Sequence, residues 1–177
     1  MKTALFVLLD QYADWEAAPL ASVVNRTPGW RVTVVAPGGN AVRSIGGMSW
    51  RSEAAKPVES PVRAAIAGDV PVGAICDATV FLGKLGVLNA IPHTGNLRSD
   101  LQGYAGPDYA GSPLYRNEPA VRSGRIVTAN GTAALDFARE ILVALGILDE
   151  EDASKWYRLF KSGFLEAGEE AAWWFSR

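Results

Sequence analysis

The chain has 177 residues, 49% hydrophobic and 20% charged, which suits one globular domain with a sizeable core. Its net charge of -2 comes from interleaved acidic and basic residues, so no basic stripe favours nucleic acid as a partner. A single cysteine excludes an internal disulfide and points to a reducing, cytoplasmic compartment, and no apolar run is long enough to span a membrane.

Ala4 to Leu9 is a continuous apolar run. It is short for a signal peptide, lacks a small-residue cleavage site and reads as a strand buried on both faces. Asp14 then caps a helix with Glu16 in its first turn, where the helix dipole favours a carboxylate. Ala17, Leu20, Ala21 and Val24 follow at helical spacing, and Thr27-Pro28-Gly29 breaks the pattern. Arg31 to Val35 reads as a second strand, closed by Pro37-Gly38-Gly39. Ala41 to Trp50 is a short extended lead-in to a turn at Gly46-Gly47. Ser60-Pro61 opens a short helix in the favoured cap-then-proline order. Val70 to Ile75 is a third apolar strand, and Cys76 follows at once.

Asp77 to Leu85 is expected to be a helix stopped by Gly86. Ile91 to Leu97 reads as a strand, and Leu101 to Glu118 as a long loop of a length that suggests function. Arg125 to Ala129 is the next strand. Thr132 caps a helix carrying Leu135, Ala138, Ile141, Leu142 and Leu145, which Gly146 ends. A final helix places Trp156, Leu159, Phe160, Gly163, Phe164 and Ala167 on one stripe. No repeat or linker interrupts the chain, so residues 1–177 form one domain, with 150–177 a helical extension at its end. Strands alternating with helices predict an α/β sandwich around a mostly parallel sheet. Ligands bind such sheets at the carboxyl ends of the strands, where Glu16, Cys76 and Asn96 would all lie.

Ala74-Ile75-Cys76-Asp77-Ala78 carries the most chemistry. A thiol between an apolar strand and a helix has the pattern of a nucleophile elbow, and the helix N-terminus predicts a depressed thiol pKa. A small buried cysteine is the bland alternative. Taken singly, Glu16 reads as a solvated first-turn carboxylate, His93 as a hydrogen-bonded structural histidine and Asn96 as a turn residue. One cysteine and one histidine make no metal-ligand cluster, and neither glycine pair has phosphate-loop spacing, so no cofactor or metal is expected.

Three stretches together resemble the ThiJ/PfpI superfamily, which shares the class I glutamine-amidotransferase-like fold. They are Phe6 to Glu16, Ala74 to Asn89, and Ile126-Val127-Thr128-Ala129-Asn130-Gly131-Thr132 through Leu145. The variant with His93-Thr94-Gly95-Asn96 looks closest to bacterial members of the peptidase or amidotransferase-like branch. The resemblance implies a flavodoxin-like three-layer sandwich, usually dimeric and without metal. It implies Cys76 as nucleophile and Glu16 as its hydrogen-bond partner. Asp77 N–H with Gly46 or Gly47 N–H would form the oxyanion hole. The activities it implies are glyoxalase or deglycase chemistry on small carbonyls, amide or peptide hydrolysis, and redox-sensing stress protection.

Two departures qualify it. The superfamily often has a histidine at the end of the strand after the cysteine, and an ungapped count from Gly86 places Asn96 there rather than His93. Asparagine can orient a group but cannot serve as a base near neutral pH. Relatives also carry an apolar strand ending in Gly-Gly between the second strand and the cysteine. Here Ser44 to Trp50 joins the start of that region to its end. Either a segment is missing or another strand fills the position, and Ala41 to Ile45 is a poor candidate because Arg43 and Ser44 would be buried.

The residues therefore predict a cysteine-dependent enzyme on small carbonyl or amide substrates. The alternatives are a redox sensor using Cys76 without turnover, and a binding module with an inert cysteine. Trp173-Trp174-Phe175 is a large apolar cluster that would be covered by a homodimer partner or by its own domain.

Overall fold

A computed structural model describes residues 1–50, 58–168 and 170–175, apart from the side chains of 170 and 175. In chain order the elements are β1 (Lys2–Val7), α1 (Asp14–Arg26), β2 (Trp30–Val35), β3 (Val42–Arg43), β4 (Ser49–Trp50), α2 (Glu59–Ala67), β5 (Val72–Ile75) and α3 (Ala78–Lys84). A 3₁₀ turn at Val87–Ala90 leads to α4 (Arg98–Tyr104), and another at Ser112–Leu114 to the hairpin β6 (Ala120–Ser123) and β7 (Ile126–Ala129). The chain closes with α5 (Ala134–Ala144), α6 (Glu150–Ser162), α7 (Phe164–Ala167) and α8 (Glu170–Phe175).

The strands do not join into one sheet. Among the described residues β1 pairs in parallel with β2, from Lys2 opposite Trp30 to Val7 opposite Val35. A separate sheet has the order β5-β7-β6, with β5 parallel and β6 antiparallel to β7. Nothing in Ala41 to Ile45 lies along β1. Val42–Arg43 folds back on Ser49–Trp50 as a two-residue antiparallel hairpin, tied to the end of the first strand by Gln11 N–H donating to Arg43 O at 2.7 Å. This corrects the expectation that the first strand is buried on both faces. Leu5, Val7 and Leu9 are 58%, 41% and 57% exposed, because β2 is the only described neighbour of β1.

Other expectations shift for local reasons. Asp14 starts α1 but does not cap it, because its carboxylate accepts instead from Gly46 N–H. Thr132 is likewise not the cap of α5, since its amide and hydroxyl both donate to Asn130 Oδ1. Ile91 to Leu97 makes only an isolated bridge, His93 to Tyr115. β6 follows directly after the stretch read as a long loop, where no strand was expected, and pairs with β7. The last stripe does not run as one helix. Gly163 adopts φ +83° with an extended ψ and ends α6, a conformation natural only for glycine.

The main core joins α1, β7, α5, α6 and α8 around Leu20, Val24, Val127, Leu142, Trp156 and Trp174. A second cluster packs Leu82, Leu88 and Leu101 beneath α3 and α4. Trp174 is covered by its own chain. Its ring lies 6.4 Å from that of Trp156, with Arg26 above it at 5.2 Å. Covering Trp174 thus requires no second copy, and the Phe175 side chain lies outside the described residues. Asp149 caps α6 by accepting from Asp152 N–H at 2.8 Å. Asp149→Ala should cost about 1 kcal/mol and lower the thermal midpoint by roughly 2–4 °C in a melting experiment.

Candidate functional site

β5 delivers Cys76 and α3 leaves from it. Cys76 sits at φ +57°, a left-handed conformation that costs a non-glycine residue about 1–3 kcal/mol. The surroundings hold it there. Cys76 N–H donates to Ala129 O at 3.1 Å, and Cys76 O accepts from Thr79 N–H at 3.0 Å and the Thr79 hydroxyl at 2.7 Å. The side chain is thereby turned off the strand line, half-buried at the sheet edge.

Three groups converge on the sulfur. Asn96 Nδ2 donates to Cys76 Sγ at 3.3 Å, and Asp77 N–H donates to it from the start of the turn into α3. Glu16, on the first turn of α1, shares a hydrogen bond with the thiol. The Asn96 amide can point only one way, because its Oδ1 accepts from Gly131 N–H at 2.8 Å. Asn96 reaches this position because Thr94 N–H bonds to Thr128 Oγ1, and because Gly95 leaves no side chain to strike Thr79.

The electrostatics reverse the expected thiol acidity. Burial comes first and pushes the Cys76 thiol above its ordinary 9.0, and the adjacent Glu16 carboxylate adds to the rise. The Asn96 amide and Asp77 N–H oppose it without overcoming it. The sequence expectation failed because a short helix N-terminus is outweighed by desolvation and a like charge. Burial also raises Glu16 above 4.5. The two groups resist carrying two negative charges, so both shifts favour a protonated thiol beside Glu16, with Cys76 Sγ also 4.0 Å from Asp77 Oδ1.

The remaining sequence candidates lie elsewhere or are otherwise engaged. His93 is fully buried, with Nδ1 bonded to Ile91 O and Nε2 to the Tyr109 hydroxyl, both at 2.8 Å. Its ring packs edge-on between Tyr109 and Tyr115, and burial lowers its pKa. Gly46 N–H donates to Asp14 Oδ2 at 2.8 Å and Gly47 N–H to Ser44 O at 3.0 Å, so neither amide is free for an oxyanion. A polar cavity of about 250 Å³ opens beside Asn96, between Thr94, Tyr115, Glu118 and Asn130. A larger hollow of about 400 Å³ lies by Asp69 and Arg125, at the opposite strand ends, and touches none of these groups.

The DJ-1/PfpI family model matches residues 45–144. An uncharacterized protease of Bacillus subtilis, YdeA, is 35% identical over an alignment covering 93% of each chain. The chain belongs to the DJ-1/PfpI family. A second B. subtilis protein, the uncharacterized protease YoaZ, is 33% identical, with 81% of this chain and 64% of YoaZ covered. Among solved structures, a DJ-1 superfamily protein from Agrobacterium tumefaciens superposes with a TM-score of 0.81 at 31% identity, covering 92% of this chain and 98% of its own. A thiJ/pfpI family protein from Bacillus anthracis gives 0.82 at 24% identity, which speaks to the fold alone. The YdeA alignment runs over 187 positions, more than the 177 residues here, so that relative has residues without counterparts in this family member.

Among the described residues no group of three His, Cys, Asp or Glu side chains is placed to hold a metal ion, and no helix is long and apolar enough to cross a membrane. Two residues at the site carry no flag in the sequence reading. Trp15 and Gly131 bond to one another, and Gly131 lies against both Cys76 and Glu16. The glycine between the polar residues Asn130 and Thr132, just after an apolar strand, is the signal that could have found the second.

Proposed function

We propose that the protein is a cysteine enzyme acting on small carbonyl or amide substrates, with Cys76 as nucleophile and Glu16 as general base. The observation that carries this is the convergence of Glu16, Asn96 Nδ2 and Asp77 N–H on one sulfur held at positive φ. A thiol with a raised pKa needs a base at the moment of attack. A carboxylate whose own pKa is raised by burial is a better base for that task than an ordinary one. The thiol proton passes to Glu16 as the S–C bond forms. Asn96 and Asp77 N–H steady the negative charge, and protonated Glu16 returns the proton to the carbonyl oxygen or to a leaving amine.

The donor set favours reactive carbonyls over unactivated peptide bonds. Gly46 and Gly47 are committed, so oxyanion support is thin, and aldehyde addition has no amine to expel. The protease naming of the Bacillus relatives keeps amide hydrolysis as the second activity to measure. His93 has no part in the reaction, because its nitrogens are already bonded and it is sealed from solvent. Redox sensing fits less well, since oxidation follows thiolate character and this thiol is held protonated.

The test is loss of methylglyoxal and release of a chromogenic amine by the purified protein. Methylglyoxal loss should be readily measured and should fall to background in Cys76→Ser. Reversible oxidation of Cys76 by peroxide, with no turnover of either compound, would count for redox sensing and against this reading.

A further inference from the structure

We propose that Trp15 and Gly131 are positioning residues, a hydrogen-bonded clamp that holds the helix carrying Glu16 in register with the thiol and amide of the other sheet. The inference rests on the pairing of Glu16 with Cys76 described above, and not on any turnover.

The site is assembled from two halves. Glu16 stands on α1, which follows β1. Cys76 follows β5, whose described partner is β7. Among the described residues no strand pairs β1 with the β5-β7-β6 sheet, so no ladder of backbone bonds fixes their separation. Apolar packing of α1 on α5 joins the halves elsewhere, but such contact is non-directional and sets no hydrogen-bond geometry.

At the site itself a chain of directional bonds, besides the Glu16–Cys76 contact it would hold, crosses the division. Trp15 Nε1 donates to Gly131 O at 2.8 Å. Gly131 N–H donates to Asn96 Oδ1 at 2.8 Å, and Asn96 Nδ2 donates to Cys76 Sγ at 3.3 Å. Gly131 thus receives from one half and gives to the other. Trp15 is 51% exposed, so core burial does not account for its placement, yet its one polar atom is spent on a residue 116 positions away.

Gly131 is required for proximity rather than for backbone freedom. Its φ is not positive, but a Cβ there would lie 2.9 Å from Cys76 Sγ and 3.2 Å from Glu16 Oε1. Any side chain would wedge the pair apart. The loop cannot readily yield, since Asn130 N–H donates to Pro119 O and Asn130 Oδ1 accepts twice from Thr132.

The experiment is the rate of Cys76 alkylation by iodoacetamide against pH, in the full chain. Glu16 holds the thiol midpoint up, so Glu16→Gln lowers it. Trp15→Phe removes the clamp bond at an exposed position and should lower the midpoint by about half a pH unit or more. In a Glu16→Gln background the same change should have little further effect. Gly131→Ala should shift the midpoint in the same direction. A merely structural loosening would move Trp15→Phe equally in both backgrounds, and that result overturns the clamp. So does an unshifted Trp15→Phe beside a shifted Glu16→Gln. An unshifted Glu16→Gln overturns the pairing, and the clamp with it.

Discussion

Glu16→Gln should make Cys76 easier to ionise and, on the proposed chemistry, turnover far slower, two effects that ordinarily run opposite ways. The first follows from charge. The Glu16 carboxylate raises the thiol pKa by its charge and by accepting the S–H bond, and glutamine removes both contributions. The second follows from proton transfer. Glutamine cannot take the thiol proton, and loss of a positioned base costs about 10²–10⁴-fold in turnover. The measurements are iodoacetamide alkylation against pH and methylglyoxal consumption at neutral pH. A variant that alkylates at lower pH yet retains wild-type turnover would remove Glu16 from the reaction.

The same substitution carries a stability signature. Burial raises Glu16 in the folded state above 4.5, so the folded protein binds that proton more tightly than the unfolded chain does. The resulting stabilisation is fully present below the unfolded pKa and is lost as pH rises through the folded one. Above that window the ionised carboxylate works against folding. Glu16→Gln should therefore melt higher than wild type at neutral pH, with the difference shrinking or reversing near pH 4. Cys76 has the same sign at alkaline pH, where its raised pKa makes ionisation destabilising.

The parts of the site legible in the sequence are those set by local pattern. An apolar strand running straight into a helix placed Cys76 on a turn, and the family resemblance, counted on from Gly86, put Asn96 rather than His93 in the third position. Glu16 was legible as a first-turn carboxylate at a strand end, and its pairing with the thiol only through the family resemblance. What could not be read depends on which partner each polar group takes in three dimensions. Gly46 looks like a free oxyanion donor until Asp14, 32 residues earlier, is seen to accept its N–H. The thiol pKa follows from burial and from a charge on another element, neither of which spacing encodes. β6 escaped because it is only four residues long and Arg122 and Ser123 interrupt its apolar pattern, although its partner, β7, was expected as a strand. The break at Gly163 escaped because an apolar stripe continues across it in sequence while the backbone turns.

The departure at Ser44 to Trp50 leads to the second large effect. An apolar strand ending in Gly-Gly, of the kind the family resemblance implies, inserted after Ser44, should stabilise the protein by about 3 kcal/mol or more. Leu5, Val7 and Leu9 belong to one apolar run yet stand 58%, 41% and 57% exposed. The YdeA alignment is longer than this chain, and the family match begins at residue 45, at the join itself. Among the described residues β1 and β5 each have one strand neighbour, which leaves one edge of each without a ladder partner. A strand placed between them would satisfy those backbone groups and cover the three side chains, each contributing on the order of 1 kcal/mol at about 25 cal/mol per Å². For a chain of this size that gain is a rise of roughly 6–12 °C in thermal midpoint. Binding of a hydrophobic dye by the native protein should fall in parallel as the patch is covered. The insertion should also supply a Gly-Gly turn beside Cys76 with its amides free, so methylglyoxal turnover should rise while the thiol midpoint follows the Cys76–Glu16 pair as before. An inserted chain that melts no higher and binds as much dye would mean that the two sheets are complete as they stand, and that this family member has dispensed with its central strand.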